Sequence, residues 1–256
     1  MRRGGENRGS SVSESGRAIR VIISGGGTGG HLFPAIAIAN ALRRLEPGVK
    51  ILFVGAEGRM EMQKVPEAGY EITGLPVAGL VRGGSIRNIH VAWKLFRSML
   101  RASQIIRRFR PDAVVGVGGY ASGPVLRQAQ QRRIPTLIQE QNSYAGVTNK
   151  LLARRAERIC VAYEGMEKYF PKEKIMLTGN PVRHAYDNLE GLRPEALEHF
   201  RLHAGRPVIL VLGGSLGAGT VNESIGGAIS TIEASGVQMI WQTGSHWYDR
   251  MREAVE

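Results

Sequence analysis

The sequence predicts an α/β protein of two Rossmann-like, doubly wound parallel-sheet domains, the second of them incomplete. Three observations carry that prediction. Apolar, β-branched runs alternate with helical patterns from residue 19 onward, as in a parallel sheet covered on both faces. The alternation restarts near residue 206, after a polar stretch, "NPVRHAYDNLEGLRP", at 180–194. Three strands run into glycine-rich turns and then helices: "VIISGGGTGGHLFPA" (21–35), "VVGVGGYASGPVL" (114–126) and "VILVLGGSLGAGTVN" (208–222).

The start, "MRRGGENRGSSVSESGR", is basic with no apolar segment behind it, so 1–17 reads as a disordered tail rather than a secretory signal. "IRVIISG" (19–25) is the first strand, followed by a helix at about 33–45. "KILFVGA" (50–56) is the second, with a helix at about 59–68, and "YEITGLPV" (70–77) the third. A long helix is predicted at about 86–109. "DAVVGVG" (112–118), "PTLIQEQ" (135–141) and "RICVAY" (158–163) are strands with helical connections, and "IMLTGNPV" (175–182) follows. This places a first domain at 18–180. In a second, at 181–256, "RPVILVLGG" (206–214) is a strand, 215–235 a helix and "VQMIWQTG" (237–244) another strand. An open sheet usually has about four to six strands. The sequence also stops at "HWYDRMREAVE", inside a helical pattern, so a truncated C-terminus is expected.

A length of 256 residues with 43% hydrophobic content suits one large or two small domains. The single cysteine, Cys160, rules out an internal disulfide and reads as a small buried apolar residue. Residues 21–42 carry no Asp, Glu, Lys or Arg, but their glycines, His31 and Pro34 argue against a membrane span. The net charge of +12 is unevenly spread. No acid lies between Glu71 and Asp112, an interval holding Arg82, Arg87, Lys94, Arg97, Arg101, Arg107, Arg108 and Arg110. Such a patch calls for an anionic partner. The helix within it sets Ile89, Trp93, Phe96, Met99 and Leu100 near one face, and Lys94, Arg97, Arg101 and Arg108 along another. "LPVAGLVRGG" (75–84), with Leu80 and Arg82, is an apolar loop before it. The pair reads either as a contact with an anionic membrane surface or as a core-packing helix with a solvated basic face. No recognised nucleic-acid motif accompanies the charge, so nucleic acid is not an expected partner.

The glycine-rich turns point to phosphate. Glycine lets backbone approach a ligand, and a helix N-terminus presents free N–H groups and a positive dipole end. Ligands of open parallel sheets collect at the carboxyl ends of the strands. Gly25-x-x-x-x-Gly30 has Walker spacing, but His31 and Leu32 follow where Lys and Ser or Thr are required, which argues against a P-loop. Gly25-x-Gly27-x-x-Gly30 also fits the dinucleotide fingerprint. The acid ending the next strand, Glu57, comes 27 residues after Gly30, too far for that reading. His31, at the helix start, is either a general base or a cap and phosphate contact. Ser215 has no evident base partner and reads as a phosphate contact. His199 and His203 share a predicted helix but lack a third ligand, so no metal is expected.

Five motifs in order carry a resemblance: "GGTGGHLFPA" (26–35), "VGGYASGP" (117–124), "QEQNSYAGVTNK" (139–150), "TGNPVR" (178–183) and "GGSLGA" (213–218). Together they resemble the MurG family, the peptidoglycan N-acetylglucosaminyltransferases that convert lipid I to lipid II, over about residues 20–245. The resemblance implies a GT-B-type fold with a cleft between its domains, an acceptor at the cytoplasmic face of the bacterial plasma membrane, and UDP-N-acetylglucosamine as donor. It implies that Thr28, Gly29, Gly30 and His31, with Gly118, Gly119 and Tyr120, line the acceptor diphosphate and muramyl sugar, completed by Glu140 and Asn142. It implies that Arg183, Ser215, Gly214 and Gly217 hold the donor pyrophosphate, with Gln242 and Thr243 near the nucleotide. Leu80, Arg82, Trp93, Lys94, Arg97 and Arg101 are the expected membrane contact. UDP-N-acetylglucosamine is then a co-substrate with no cofactor or metal, lipid I is the acceptor, and cell-wall synthesis proteins are candidate partners.

The expected reaction is a single inverting displacement with His31 as base. Gln139 stands where the family often has histidine, which places more weight on His31. Family segments that read the uridine ribose and the sugar hydroxyls lie beyond Glu256, so weak donor binding is expected of this chain. Two other readings stay open: a related transferase acting on membrane diacylglycerol, and a catalytically inactive membrane-binding fragment.

Overall fold

The computed structural model describes residues 17–77, 87–182, 189, 191–214 and 216–255, with side chains from 93 onward in the second of these segments. It divides into two units, Met1–Tyr186 and Asp187–Glu256.

Unit 1 is built on strands β1 (Arg20–Ser24), β2 (Lys50–Ala56), β3 (Glu71–Leu75), β4 (Ala113–Gly116), β5 (Thr136–Glu140), β6 (Arg158–Val161) and β7 (Ile175–Leu177). They form one seven-stranded parallel sheet in the order β3-β2-β1-β4-β5-β6-β7. The connections are α1 (Gly29–Leu45), α2 (Glu61–Glu67), α3 (Arg87–Phe109), α4 (Ser122–Gln131) and α5 (Val147–Leu152), with short 3-10 turns before β6 and β7. The chain winds outward from β1 to β3, then returns to the opposite side of β1 at β4. That reversal leaves the carboxyl ends of β1 and β4 side by side, where doubly wound sheets bind ligands.

Side-chain alternation explains why both faces are covered. Ile22, Val54, Val114 and Ile138 enter one buried cluster, while Val21, Ile23, Phe53 and Val115 enter the other. Neighbouring residues of one strand thus feed opposite cores.

Unit 2 contains α6 (Leu192–His199), β8 (Val208–Leu212), α7 (Gly219–Gly227), α8 (Ile229–Ala234), β9 (Gln238–Gln242) and α9 (Tyr248–Glu253). β8 and β9 pair in parallel as a two-stranded sheet, and Ile209, Leu210 and Leu212 of β8 are exposed.

Several boundaries differ from the sequence reading. α1 begins at Gly29 rather than about 33, because Thr28 is extended (φ −145°, ψ 158°) and the helix starts directly after it. The helix expected at 215–235 is two: α7 starts at Gly219 and stops at Gly226-Gly227, and α8 follows Ala228. Paired glycines give a helix little reason to continue. α9 closes at Glu253, before the last residues. α6 ends at His199, and Arg201 takes a left-handed φ of 55°, so His203 does not share a helix with His199.

Candidate functional site at the carboxyl ends of β1 and β4

The loop after β1 is held from beneath by Glu61, the first residue of α2, which is 0% exposed. Its carboxylate accepts from Gly27 N–H at 3.1 Å and from Ala56 N–H at 2.9 Å. Gly26 has φ of +140°, and a side chain there would collide with that carboxylate. With Gly27 N–H spent on Glu61, the donors left for a ligand move into the first turn of α1. Thr28 makes no side-chain cap, His31 and Leu32 N–H bond to Thr28 O, and Gly29 and Gly30 N–H have no protein partner among the described residues. Such a turn can receive an anion.

His31 projects from this turn toward the loop after β4. Its Nδ1 lies 2.9 Å from Gln141 Oε1, and its ring rests against Gly118, where a Cβ would come within 3.0 Å of Cε1. Gly118 has φ of +91°. Gln141 in turn donates Nε2 to Val117 O at 2.9 Å, to Gln139 O at 3.3 Å and to Gln139 Oε1. The β4 loop is fastened to β1 by Val117 N–H on Ser24 O, while Ser122 Oγ donates to Gly119 O at 3.0 Å. Tyr120 is exposed beside it. Thus Thr28, Gly29, Gly30, His31, Gly118, Gly119 and Tyr120 sit at adjoining strand ends.

Glu140 differs from its expected role. It is 1% exposed, and both oxygens are engaged: Oε1 by Asn142 N–H (3.1 Å) and Nδ2 (3.2 Å), Oε2 by Gly146 N–H (2.9 Å) and Asn149 Nδ2 (2.9 Å). A carboxylate so occupied shapes the 142–149 loop and has no lone pair aimed at solvent. Asn142 itself is exposed.

In unit 2 the loop after β8 is tied to the end of β9. Gln242 Oε1 accepts from Gly213 N–H at 3.0 Å, and its Nε2 donates to Gly214 O at 3.0 Å. Gly217 N–H closes back on Gly214 O at 3.2 Å. Buried Asn222 donates to Thr243 O at 2.9 Å and accepts from Trp241 Nε1 at 3.1 Å. Gln242 and Thr243, expected near the nucleotide, therefore build the loop: one by its side chain, the other by its carbonyl. Gly219, Thr220 and Val221 N–H at the start of α7 have no protein partner among the described residues. Arg183 and Ser215 lie outside the described residues, as do Leu80 and Arg82.

On α3 the described part of the apolar stripe read from sequence is exposed at Trp93, Phe96 and Leu100 and half-buried at Met99, and another face enters the core. Ser98, Ala102 and Ile106 are buried, whereas Trp93 is 57% and Phe96 53% exposed, their rings stacked at 5.8 Å. Leu95 and Leu100 are exposed with them, as are Lys94 and Arg97. Arg101 differs: it pairs with Glu57 at 2.6 Å. No helix among the described residues is long and apolar enough to cross a membrane. Cavities of about 530 Å³ and 440 Å³, both bordered by Arg20, Arg108 and Phe109, lie toward the opposite ends of the strands, away from the glycine loops. Among the described residues no group of three or more His, Cys, Asp or Glu could hold a metal ion. Cys160 is half-buried, and burial pushes its thiol above the ordinary range.

Two residues of this site were missed in the sequence. Glu61 acts across 34 positions and Gln141 across 110, and no local spacing signals either contact. The only hint of Gln141 was its place in "QEQN" beside Gln139.

Residues 21–161 match the glycosyltransferase family 28 N-terminal domain. The chain is 58% identical over 243 residues to a UDP-N-acetylglucosamine–N-acetylmuramyl-(pentapeptide) pyrophosphoryl-undecaprenol N-acetylglucosamine transferase of Bacteroides thetaiotaomicron, covering 93% of this chain and 64% of the relative. A protein of the same name from Porphyromonas gingivalis is 58% identical over 244 residues, with coverage of 95% and 64%. The chain thus spans about two-thirds, or slightly less, of these relatives' length. A crystal structure of Acinetobacter baumannii MurG superposes with a TM-score of 0.67 at 27% identity, over 93% of this chain and 62% of that one. A UDP-GlcNAc 2-epimerase of Neisseria meningitidis bound to UDP-GlcNAc has a TM-score of 0.60 at 12% identity, over 93% and 69%, a likeness of fold alone.

Proposed function

The chain belongs to glycosyltransferase family 28, and from that premise we propose that it serves the transfer of N-acetylglucosamine from UDP-N-acetylglucosamine to the muramyl 4-hydroxyl of lipid I, giving lipid II. The observation that carries this reading is the placement of His31. It is an imidazole at the switch point of a doubly wound sheet, in the same helical turn as two unengaged glycine N–H groups. The relatives at 58% identity bear the name of this transferase, and the reading takes substrate and acceptor from them.

The step is an inverting displacement. The muramyl 4-oxygen forms a bond to the anomeric carbon of the donor as the bond from that carbon to the UDP oxygen breaks. The hydroxyl proton passes to His31, and UDP departs with the bonding electrons. The N–H groups of Gly29 and Gly30 hold the acceptor diphosphate near the base, so that placement supplies part of the rate. In unit 2 the first-turn N–H groups of α7, which have no protein partner among the described residues, receive the growing negative charge on the donor diphosphate. No metal is required in this scheme.

The acceptor is a lipid, so a membrane contact belongs to the reading. The exposed Trp93, Leu95, Phe96 and Leu100, with Lys94 and Arg97, form an amphipathic surface suited to anionic lipid. It would hold the protein peripherally at the cytoplasmic face of the plasma membrane. Acceptor-dependent UDP release tests the proposal, with the 256-residue chain and a chain extended to its relatives' length, each given UDP-N-acetylglucosamine and a lipid I analogue. Release that requires the analogue supports it. Silence from both chains overturns it.

A further inference from the structure

We infer that Gln141 is a positioning residue that holds neutral His31 with its proton on Nδ1 and its lone pair on Nε2; the consequence for turnover rests on the transferase reading above. The argument is an inventory of donors and acceptors. Three oxygens surround the Gln141 amide nitrogen: Val117 O at 2.9 Å, Gln139 O at 3.3 Å and Gln139 Oε1. An amide turned the other way would press its oxygen against two backbone carbonyls, Val117 O and Gln139 O, which cannot turn to relieve it whichever way the Gln139 amide faces. The nitrogen therefore faces them, and Oε1 faces His31 Nδ1 at 2.9 Å. An amide oxygen only accepts, so the hydrogen between the two atoms sits on Nδ1.

The nitrogen left with a lone pair is Nε2, which has no protein partner among the described residues. Gln139 sustains the arrangement at its own cost. Its Oε1 is spent on Gln141, and its Nε2 is buried with no protein partner among the described residues. Gly118 adds a wall against which the ring lies. When the acceptor hydroxyl gives up its proton, Nε2 takes it, and the Nδ1–H bond to Gln141 persists in the imidazolium. The ring keeps one orientation through the step. The Gln139–Gln141 pair thus does for His31, with neutral amides, what an orienting carboxylate does in a catalytic triad.

The test is nitrogen NMR of the 256-residue chain labelled at histidine, with the His31 signals identified by their loss in His31→Asn. Above the imidazole titration, Nδ1 is expected protonated and Nε2 bare. Gln141→Met keeps side-chain length but removes the acceptor. It is expected to move the proton to Nε2 and to lower kcat for UDP release by about tenfold or more, with KM for the donor within about twofold. Gln139→Leu, which leaves the Val117 contact, is expected to do the same to a smaller extent. A proton on Nε2 in the unsubstituted chain overturns the inference. So does an unchanged tautomer in a folded Gln141→Met. Should that variant not fold, the unsubstituted spectrum and Gln139→Leu still decide. A spectrum as expected with no UDP release from the chain or its extended form would sink the transferase reading and leave the tautomer assignment standing.

Discussion

His31→Ala removes the imidazole but leaves the first-turn N–H groups that would hold the diphosphate. UDP release is therefore expected to fall by about a hundredfold or more, with acceptor affinity changed by less than about threefold. Equal loss of both, measured by turnover and by direct acceptor binding, would make His31 a binding residue. Glu61 carries a different kind of weight. Glu61→Ala would leave Gly27 and Ala56 N–H unpaired around an empty space, and a loss of about 3 kcal/mol is expected in urea denaturation. His31 was legible in the sequence because it stands against five glycines at the end of an apolar run. Glu61 was not, because a buried carboxylate reads as an ordinary helix-start acid until the fold brings Gly26 onto it. Glu140 misled for a related reason. The resemblance implied a place for it on the acceptor side, whereas four N–H donors of Asn142, Gly146 and Asn149 take up the carboxylate.

At the scale of elements, strand identity was readable because β-branched runs specify a buried parallel sheet, whereas helix starts were not. The beginning of α1 depends on the extended backbone at Thr28, and the break between α7 and α8 on two glycines that the periodicity of the segment concealed. α3 shows how amphipathicity alone leaves two readings open, since an apolar stripe can face a core or a partner surface. Its buried face holds small or unremarkable residues, Ser98, Ala102 and Ile106, because Ser98 tucks its hydroxyl onto Pro76 O and Lys94 O. The larger Trp93 and Phe96 stay outside. Phe96→Glu should therefore leave stability within about 0.5 kcal/mol, as for an exposed position. It should also weaken sedimentation with vesicles rich in anionic lipid. Lys94→Glu should weaken it too, most at low salt, since each basic residue near such a surface contributes about 1 kcal/mol. Vesicle binding unchanged by either substitution would remove α3 from the membrane contact. Arg101 is a weaker candidate, because its charge is already matched by Glu57.

Across the whole molecule, burial is unequally shared. The central strands β1, β2 and β4 of unit 1 sit between two buried clusters, whereas β8 exposes Ile209, Leu210 and Leu212. Local stability follows burial, so backbone amides of β8 and β9 are expected to exchange with solvent well before those of β1 and β4. The same contrast supplies a test of where the donor binds. A ligand that binds one folded unit stabilises that unit by mass action, about 1.4 kcal/mol at a concentration ten times its Kd. If UDP sits on the first turn of α7, saturating UDP should slow exchange at β8 and β9 by about tenfold and leave β1 and β4 as they were. Slowing confined to β1, β4 and the turn at Gly29 would place the nucleotide on unit 1 instead. The phosphate-receiving turn beside His31 would then be a donor site, and His31 would stand next to the leaving group rather than the attacking hydroxyl.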